Sequence, residues 1–178
     1  MFHPNTERLI DYWRGCKGQG FLPSRTAIDP GAFSDLLPQT FIIGRQGPGL
    51  YPFRLSGGFL VDLHGRELKG EQALSLWARP DRVQVQSALE VARRSPDPVV
   101  ITTEVRALGT PPALMEVLIA PLTGKTGEAD RYLGLYQPIT IMQRLDGKPA
   151  YELAVRSISS TASEPHLRLA AVYGMRIA

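Results

Sequence analysis

"PVVITTEVRALGTPPALMEVLIAP", residues 98–121, carries two runs of alternating side chains on either side of a Gly-Thr-Pro-Pro break. A period of two places every second residue on the same side of an extended chain, so the stretch reads as two β-strands joined by a turn. Val99, Ile101, Thr103, Val105 and Ala107 share one face, and Met115, Val117 and Ile119 join them from the second strand. A third run, RYLGLYQPITI at 131–141, follows the turn-rich TGKTGEAD. Three consecutive strands with such short separators pair antiparallel. Leu133 and Leu135 are expected on the face of Val99 and Met115.

Working back from this sheet, residues 80–95 open with Pro80-Asp81 and space Val83, Val85, Leu89 and Val91-Ala92 as a helix that stops before Ser95-Pro96. Residues 57–77 carry glycines at 57, 58, 65 and 70 and no alternation, which predicts several short helical turns. QTFIIGR (39–45) and YPFRLS (51–56) flank QGPG as a hairpin. The order of two strands, short helices, a longer helix and three strands is that of an α+β domain. A five-stranded antiparallel sheet carries its helices on one face.

At the start of the chain Thr6 is placed to cap a helix whose stripe is Leu9, Ile10, Trp13 and Cys16, ending at Gly18. In GFLPSRTAIDPGAFSDLLPQTFII (20–43), Asp29-Pro30 opens a short helix and Pro38 ends it. Leu22 to Pro38 is a stiff connector holding the first helix beside the sheet. Arg25 within it serves either as a structural clamp on loop carbonyls or Asp29, or as an anion contact at a ligand site.

The fragments Trp13, Leu22-Pro23-Ser24-Arg25 with Asp29-Pro30, Leu36-Leu37-Pro38, Phe53-Arg54-Leu55-Ser56-Gly57, and Gly65-Arg66-Glu67-Leu68-Lys69-Gly70 before Leu76-Trp77 stand in the order and spacing of one family. Over residues 10–141 the chain resembles the PAS superfamily of sensory domains, in particular a bacterial single-domain subgroup once catalogued as a domain of unknown function. The resemblance divides the chain into an N-terminal helix and connector (1–38), a PAS-like core (39–141) and a C-terminal extension (142–178).

It also implies a ligand cavity between the sheet and the short helices. The strand wall would be Phe41, Ile43, Phe53, Leu55, Ile101, Val105, Met115, Val117 and Leu133; the helix wall would be Leu60, Leu63, Leu74, Trp77 and Leu89. No polar group there selects a ligand, so a filled apolar core and a small-molecule pocket both stand. The opposite face bears Leu108, Leu114, Leu118, Tyr132 and Tyr136 beside Glu104, Arg106 and Glu116, too apolar to stay bare. Leu9, Ile10 and Trp13 fit it, from the same chain or from a second subunit. A homodimer built on Leu9, Ile10, Trp13, Leu114, Leu118 and Tyr136 is the expectation.

Catalytic patterns fail on spacing. Gly124-Lys125-Thr126 ends like a phosphate loop but has Ile119 where that loop needs glycine, and Gly47-Pro48-Gly49 has Pro52 in place of the third glycine of a dinucleotide fingerprint. His3, His64 and His166 form no metal motif, and the single Cys16 excludes an internal disulfide and multi-cysteine zinc patterns. A PAS domain can hold haem through one histidine, yet His64 beside Gly65 reads as a helix-end residue, and Cys16 does not stand where a flavin-adduct cysteine would. Neither haem nor flavin is expected, and no metal. Arg8-Leu-Ile-Asp11 matches a short cyclic-dinucleotide pattern but reads as a surface ion pair three residues apart.

In 178 residues with 43% hydrophobic and 21% charged side chains, a net charge of +3 is too weak and dispersed for a nucleic-acid surface. No apolar run approaches a bilayer span, and charges at Glu7, Arg8, Asp11 and Arg14 argue against a secretory signal; a cytoplasmic protein is expected. With no convergent titratable set, the chain reads as a non-enzymatic signalling module that docks on a protein partner such as a histidine kinase or related regulator, with ligand sensing as the alternative and an enzyme third. The extension holds two further apolar segments, YELAVRSI and LRLAAVYGMRIA. Each can extend the sheet, pack as a helix or dock, and the 39–141 core is expected to fold without them.

Overall fold

A computed structural model of the chain describes residues 1–162. Its frame is a six-stranded antiparallel sheet of β1 (Thr40–Gly44), β2 (Phe53–Ser56), β3 (Val99–Ala107), β4 (Ala113–Leu122), β5 (Arg131–Pro138) and β6 (Ala150–Ser160). The spatial order is β2-β1-β5-β4-β3-β6. The expected hairpin and the three consecutive strands are present, joined through β1–β5 pairing. The helices α2 (Gly58–His64) and α3 (Arg82–Arg94), with 3-10 turns at Ala73–Leu76 and Arg79–Asp81, cover one face. Helix α1 (Pro4–Gly15) covers part of the other.

β6 comes from the extension, whose first apolar segment therefore extends the sheet. It pairs with β3 along that strand's whole length, from Val99–Ser160 to Ala107–Ala150. Leu145, Ala150 and Leu153 complete the core beneath the helices. The second segment, LRLAAVYGMRIA, lies outside the described residues.

Helix α1 starts earlier than Thr6. His3 caps it, its Nδ1 accepting from the Asn5 N–H at 3.2 Å, and Pro4 occupies the first turn, where a missing donor costs nothing. Thr6 is instead buried within the helix. Leu9, Ile10 and Trp13 are all buried against Leu118, Leu133 and Leu135 of the outer face. Burying three such side chains contributes roughly 5 to 8 kcal/mol of gross transfer free energy.

Polar bonds fix the helix at both ends. The His3 N–H donates to the Glu116 carboxylate at 3.1 Å and Asn5 Nδ2 to Gln137 Oε1 at 3.0 Å. Trp13 Nε1 donates to the Pro121 carbonyl at 2.8 Å. The outer face around Leu118 is thus covered from within the same chain, and Leu9, Ile10 and Trp13, on which a homodimer was expected to be built, are engaged there, while Leu108 stays exposed and Leu114 half-buried.

The connector is held by side chains other than that of Arg25. Asp29 caps the 3-10 segment Pro30–Gln39, its Oδ1 accepting from the Gly31 N–H at 2.9 Å, and the Asp29 N–H donates to the Tyr12 hydroxyl at 2.7 Å. Arg8 pairs with Asp35 at 2.7 Å, not with Asp11, which faces Arg14 at 3.7 Å. The segment runs through Pro38 to Gln39, because proline removes only its own donor and the last turn is closed by the Thr40 N–H on the Leu37 carbonyl. Gly57 follows from this path. A β-carbon there would overlap the carbonyls of Leu37 and Pro38.

A chain ending at Ile141 should lose a large part of its stability, since Leu145, Ala150 and Leu153 leave the core, each buried leucine being worth about 2 to 5 kcal/mol when truncated. The full protein is the reference. Thermal circular dichroism on both decides it; an unchanged transition for 1–141 would show that β6 is dispensable.

Candidate functional site

Between the sheet and α2–α3 the fold encloses a small interior site. β1, β2, β4 and β5 supply Phe41, Ile43, Phe53, Val117, Ile119 and Tyr136; the 3-10 turn and its exit supply Ala73, Leu74 and Trp77; α3 supplies Val85 and Leu89. The space left among them is about 20 Å³. That is on the scale of one water, against the roughly 300 to 1,000 Å³ of a small-molecule pocket.

Phe41, Ile43, Phe53, Trp77, Leu89 and Val117 line this cavity, as the sequence led us to expect of the region. Leu60, Leu63, Ile101, Val105 and Met115 are buried in the same core without lining it. Two residues lie elsewhere. Leu133 is on the outer face under α1 with Leu135, and Leu55 is half exposed.

The reasons are geometric. β5 presents Tyr132, Gly134 and Tyr136 inward, because Gly134 pairs with Phe41 and Ile119 while Leu135 pairs with Leu118. One residue of parity reverses the whole strand. Tyr136 therefore belongs to the cavity and not to the outer face, and Tyr132 is likewise inside. For Leu55 a bulge between Ile42 and Ile43 inserts Arg54, so that Leu55 pairs with the outward Ile42. Leu118 is buried beneath α1, whereas Leu114 is only half-buried. Arg25 is exposed, and among the described residues its side chain makes no hydrogen bond or ion pair; its backbone N–H bonds the Thr123 carbonyl at 2.9 Å.

Gly134 makes the filling possible. A β-carbon there would overlap the Phe41 ring, which lies across it and meets Phe53 and Tyr136 edge-on, at centroid distances of 5.6 and 5.4 Å. Tyr136 is fully enclosed, and burial pushes its phenol well above the usual tyrosine range. Its hydroxyl lies 3.3 Å from His64 Nε2. Burial is also the main force holding His64 down at about 4, with Arg66 adding to it. The imidazole is therefore neutral at pH 7.

A second polar cluster, unread in the sequence, sits on α3. Glu90 accepts from the Tyr51 hydroxyl at 2.5 Å and from Arg45 Nε at 2.7 Å, and pairs with Arg93 at 2.9 Å. Burial alone would raise the Glu90 carboxyl, but these donors outweigh it and hold the group at about 2. Burial and the same carboxylate push Tyr51 up to about 12. Every member is engaged by another, so the cluster ties α3 to β1 and offers no free acid or base. No group of three metal-ligating side chains occurs among the described residues. Cys16 lies at the end of α1, on the far side of the sheet from the cavity.

The family described as PAS domain matches residues 1–137. No curated protein matches. Among solved structures, a LOV protein from Rhodobacter sphaeroides is similar at 12% identity and a TM-score of 0.47, over 66% of this chain and 73% of that one. An RNA-binding light-oxygen-voltage receptor is similar at 18% and 0.49, over 68% of this chain and 36% of that one. A PAS domain from Colwellia psychrerythraea stands at 14% and 0.46, over 62% and 96%.

His64 gives the protein an acid-sensitive stability. The folded imidazole stays neutral down to about 4 while the unfolded one takes up a proton near 6.5, so its contribution is complete above pH 6.5 and is lost as pH falls towards 4. The loss should reach on the order of 3 kcal/mol. Urea titrations from pH 7 to 4 should show this slope, and His64→Phe should flatten it; an unchanged slope in the variant would assign it elsewhere.

Proposed function

The chain belongs to the PAS domain family, and on that premise we propose that it is a non-enzymatic sensory signalling module whose output is docking on a protein partner, such as a histidine kinase or related regulator. Domains of this family are generally sensory. The observation that carries the reading is the chemistry of the interior site: its walls are apolar, its single hydroxyl is paired with a neutral histidine, and the nearby carboxylate Glu90 is bound by three donors. A reaction needs convergent groups with free protons or lone pairs.

Neither haem nor flavin takes part in this proposal. The space of about 20 Å³, the engaged His64 and the remote Cys16 all support leaving them out. A cytoplasmic setting fits the absence, among the described residues, of any helix long and apolar enough to cross a membrane. Self-association that leaves α1 seated on its own sheet would use a surface other than the one α1 occupies.

A second reading is favoured by one feature. The cavity wall from Ala73 to Asp81 consists of 3-10 turns rather than a regular helix, and such a wall can move at lower cost than α3. A small apolar ligand that displaced it would make the module a chemical sensor.

The output is proposed to leave through the segment after Ala162, which continues directly from β6. Affinity capture from native cytoplasm should recover a defined partner with the full chain and not with a chain ending at Ala162, each checked for folding by circular dichroism. The same partner on both would move docking elsewhere, and small-molecule turnover by the purified protein would overturn the non-enzymatic reading.

A further inference from the structure

β6 lies outside the residues that the family matches, yet it grips the cavity wall directly. The Ala78 N–H donates to the Leu153 carbonyl at 2.8 Å, beside a parallel bridge between Trp77 and Leu153. Two residues on, the Val155 N–H donates to Asp81 Oδ2 at 2.8 Å. Among the described residues β6 is one of the sheet's two edge strands, and an edge leaves alternate backbone groups without a ladder partner. Here two of them are taken up by the 3-10 turns.

Asp81 is well chosen for the task. It stands at the N-terminus of α3, where a carboxylate is favoured, and its other oxygen accepts from Gln84 Nε2 at 2.9 Å. Next to it Arg82 donates to the Trp77 carbonyl at 3.0 Å and to that of Ser75 at 3.2 Å. The wall is thus tied on one side to α3 by Arg82 and on the other to β6 by Asp81. Only the second tie leads to β6, the last strand among the described residues.

We infer that Asp81 is a latch: it holds the cavity wall shut against β6, and an apolar ligand that opens the wall releases β6 in the same movement. The inference rests on the small-molecule sensor reading. Enlarging a space of about 20 Å³ to admit even an indole ring requires the wall to withdraw from the sheet. Trp77 and Leu74 line the space from that wall, while the strands opposite are fixed by their ladders. Withdrawal of residues 77–81 breaks the bonds to Leu153 and Val155. Leu153 is fully buried, so loss of its partners loosens β6 along its packed face as well as its edge. Cavity occupancy and the state of the C-terminal strand become one equilibrium.

The test is hydrogen exchange on the full chain with Asp81→Ala, and with Asp81→Asn, which keeps the shape and an acceptor oxygen but not the charge. Exchange should rise together in peptides covering 73–82 and 150–160, by about tenfold in Asp81→Ala and by less in Asp81→Asn, while peptides of α1 stay unchanged. Indole, titrated by calorimetry, should bind Asp81→Ala at least about fivefold more tightly than the wild type, since less is spent on opening. Unchanged exchange in 150–160, or an equal rise in α1, would overturn the latch even with indole bound. Indole bound by neither protein, with coupled exchange intact, would overturn ligand gating together with the sensor reading and leave the docking function standing.

Discussion

Phe41 lying across the bare Cα of Gly134 is the contact from which the rest of the interior follows. It fixes which way β5 faces, because the residue opposite Phe41 has to be the one without a side chain. Once Gly134 points inward, Tyr132 and Tyr136 do too, and Leu133 and Leu135 are sent to the outer face to meet α1. The tyrosines can be inside because each phenol finds a partner, Tyr132 on the Leu89 carbonyl at 3.1 Å and Tyr136 beside His64. The ring of Phe41, meeting Phe53 and Tyr136 edge-on, also lines the small space that the helices enclose and helps to keep it small.

Elements of the same chain pack on both faces of the sheet, covering the outer one in part, and they do so by different means. On the outer side α1 presents a rigid apolar stripe fastened by Glu116, Gln137 and the Pro121 carbonyl. On the inner side α3 is tied by Glu90 to Arg45 and Tyr51, whereas the turns between Ala73 and Asp81 hang on a few single bonds. Stability is thereby uneven by construction.

Much of this was legible in the sequence. Alternation in 98–121 gave the strands and their pairing, Pro80-Asp81 marked the start of α3, and the stripe of Leu9, Ile10 and Trp13 pointed to the outer face. What stayed hidden depends on neighbours distant in the chain. The segment YLGLY offers leucines and tyrosines of similar bulk on its two faces, and only the glycine between them, matched to Phe41 some ninety residues earlier, decides which face is inside. The bulge at Arg54 leaves no mark in the local pattern. Glu90, Tyr51 and Arg45 look like ordinary surface residues one at a time, and YELAVRSI reads equally as strand or docking segment until β3 is there to receive it.

A domain whose core is filled by its own side chains should leave purification as the polypeptide alone. Native mass spectrometry of freshly isolated full-length protein, with its absorption spectrum, tests that most directly. The account predicts the mass of the chain without any addition, and absorbance confined to the tryptophan and tyrosine band. A bound mass on the scale of a haem or flavin, with absorption in the visible, would mean that Phe41 does not fill the core in the working protein, and would contradict it.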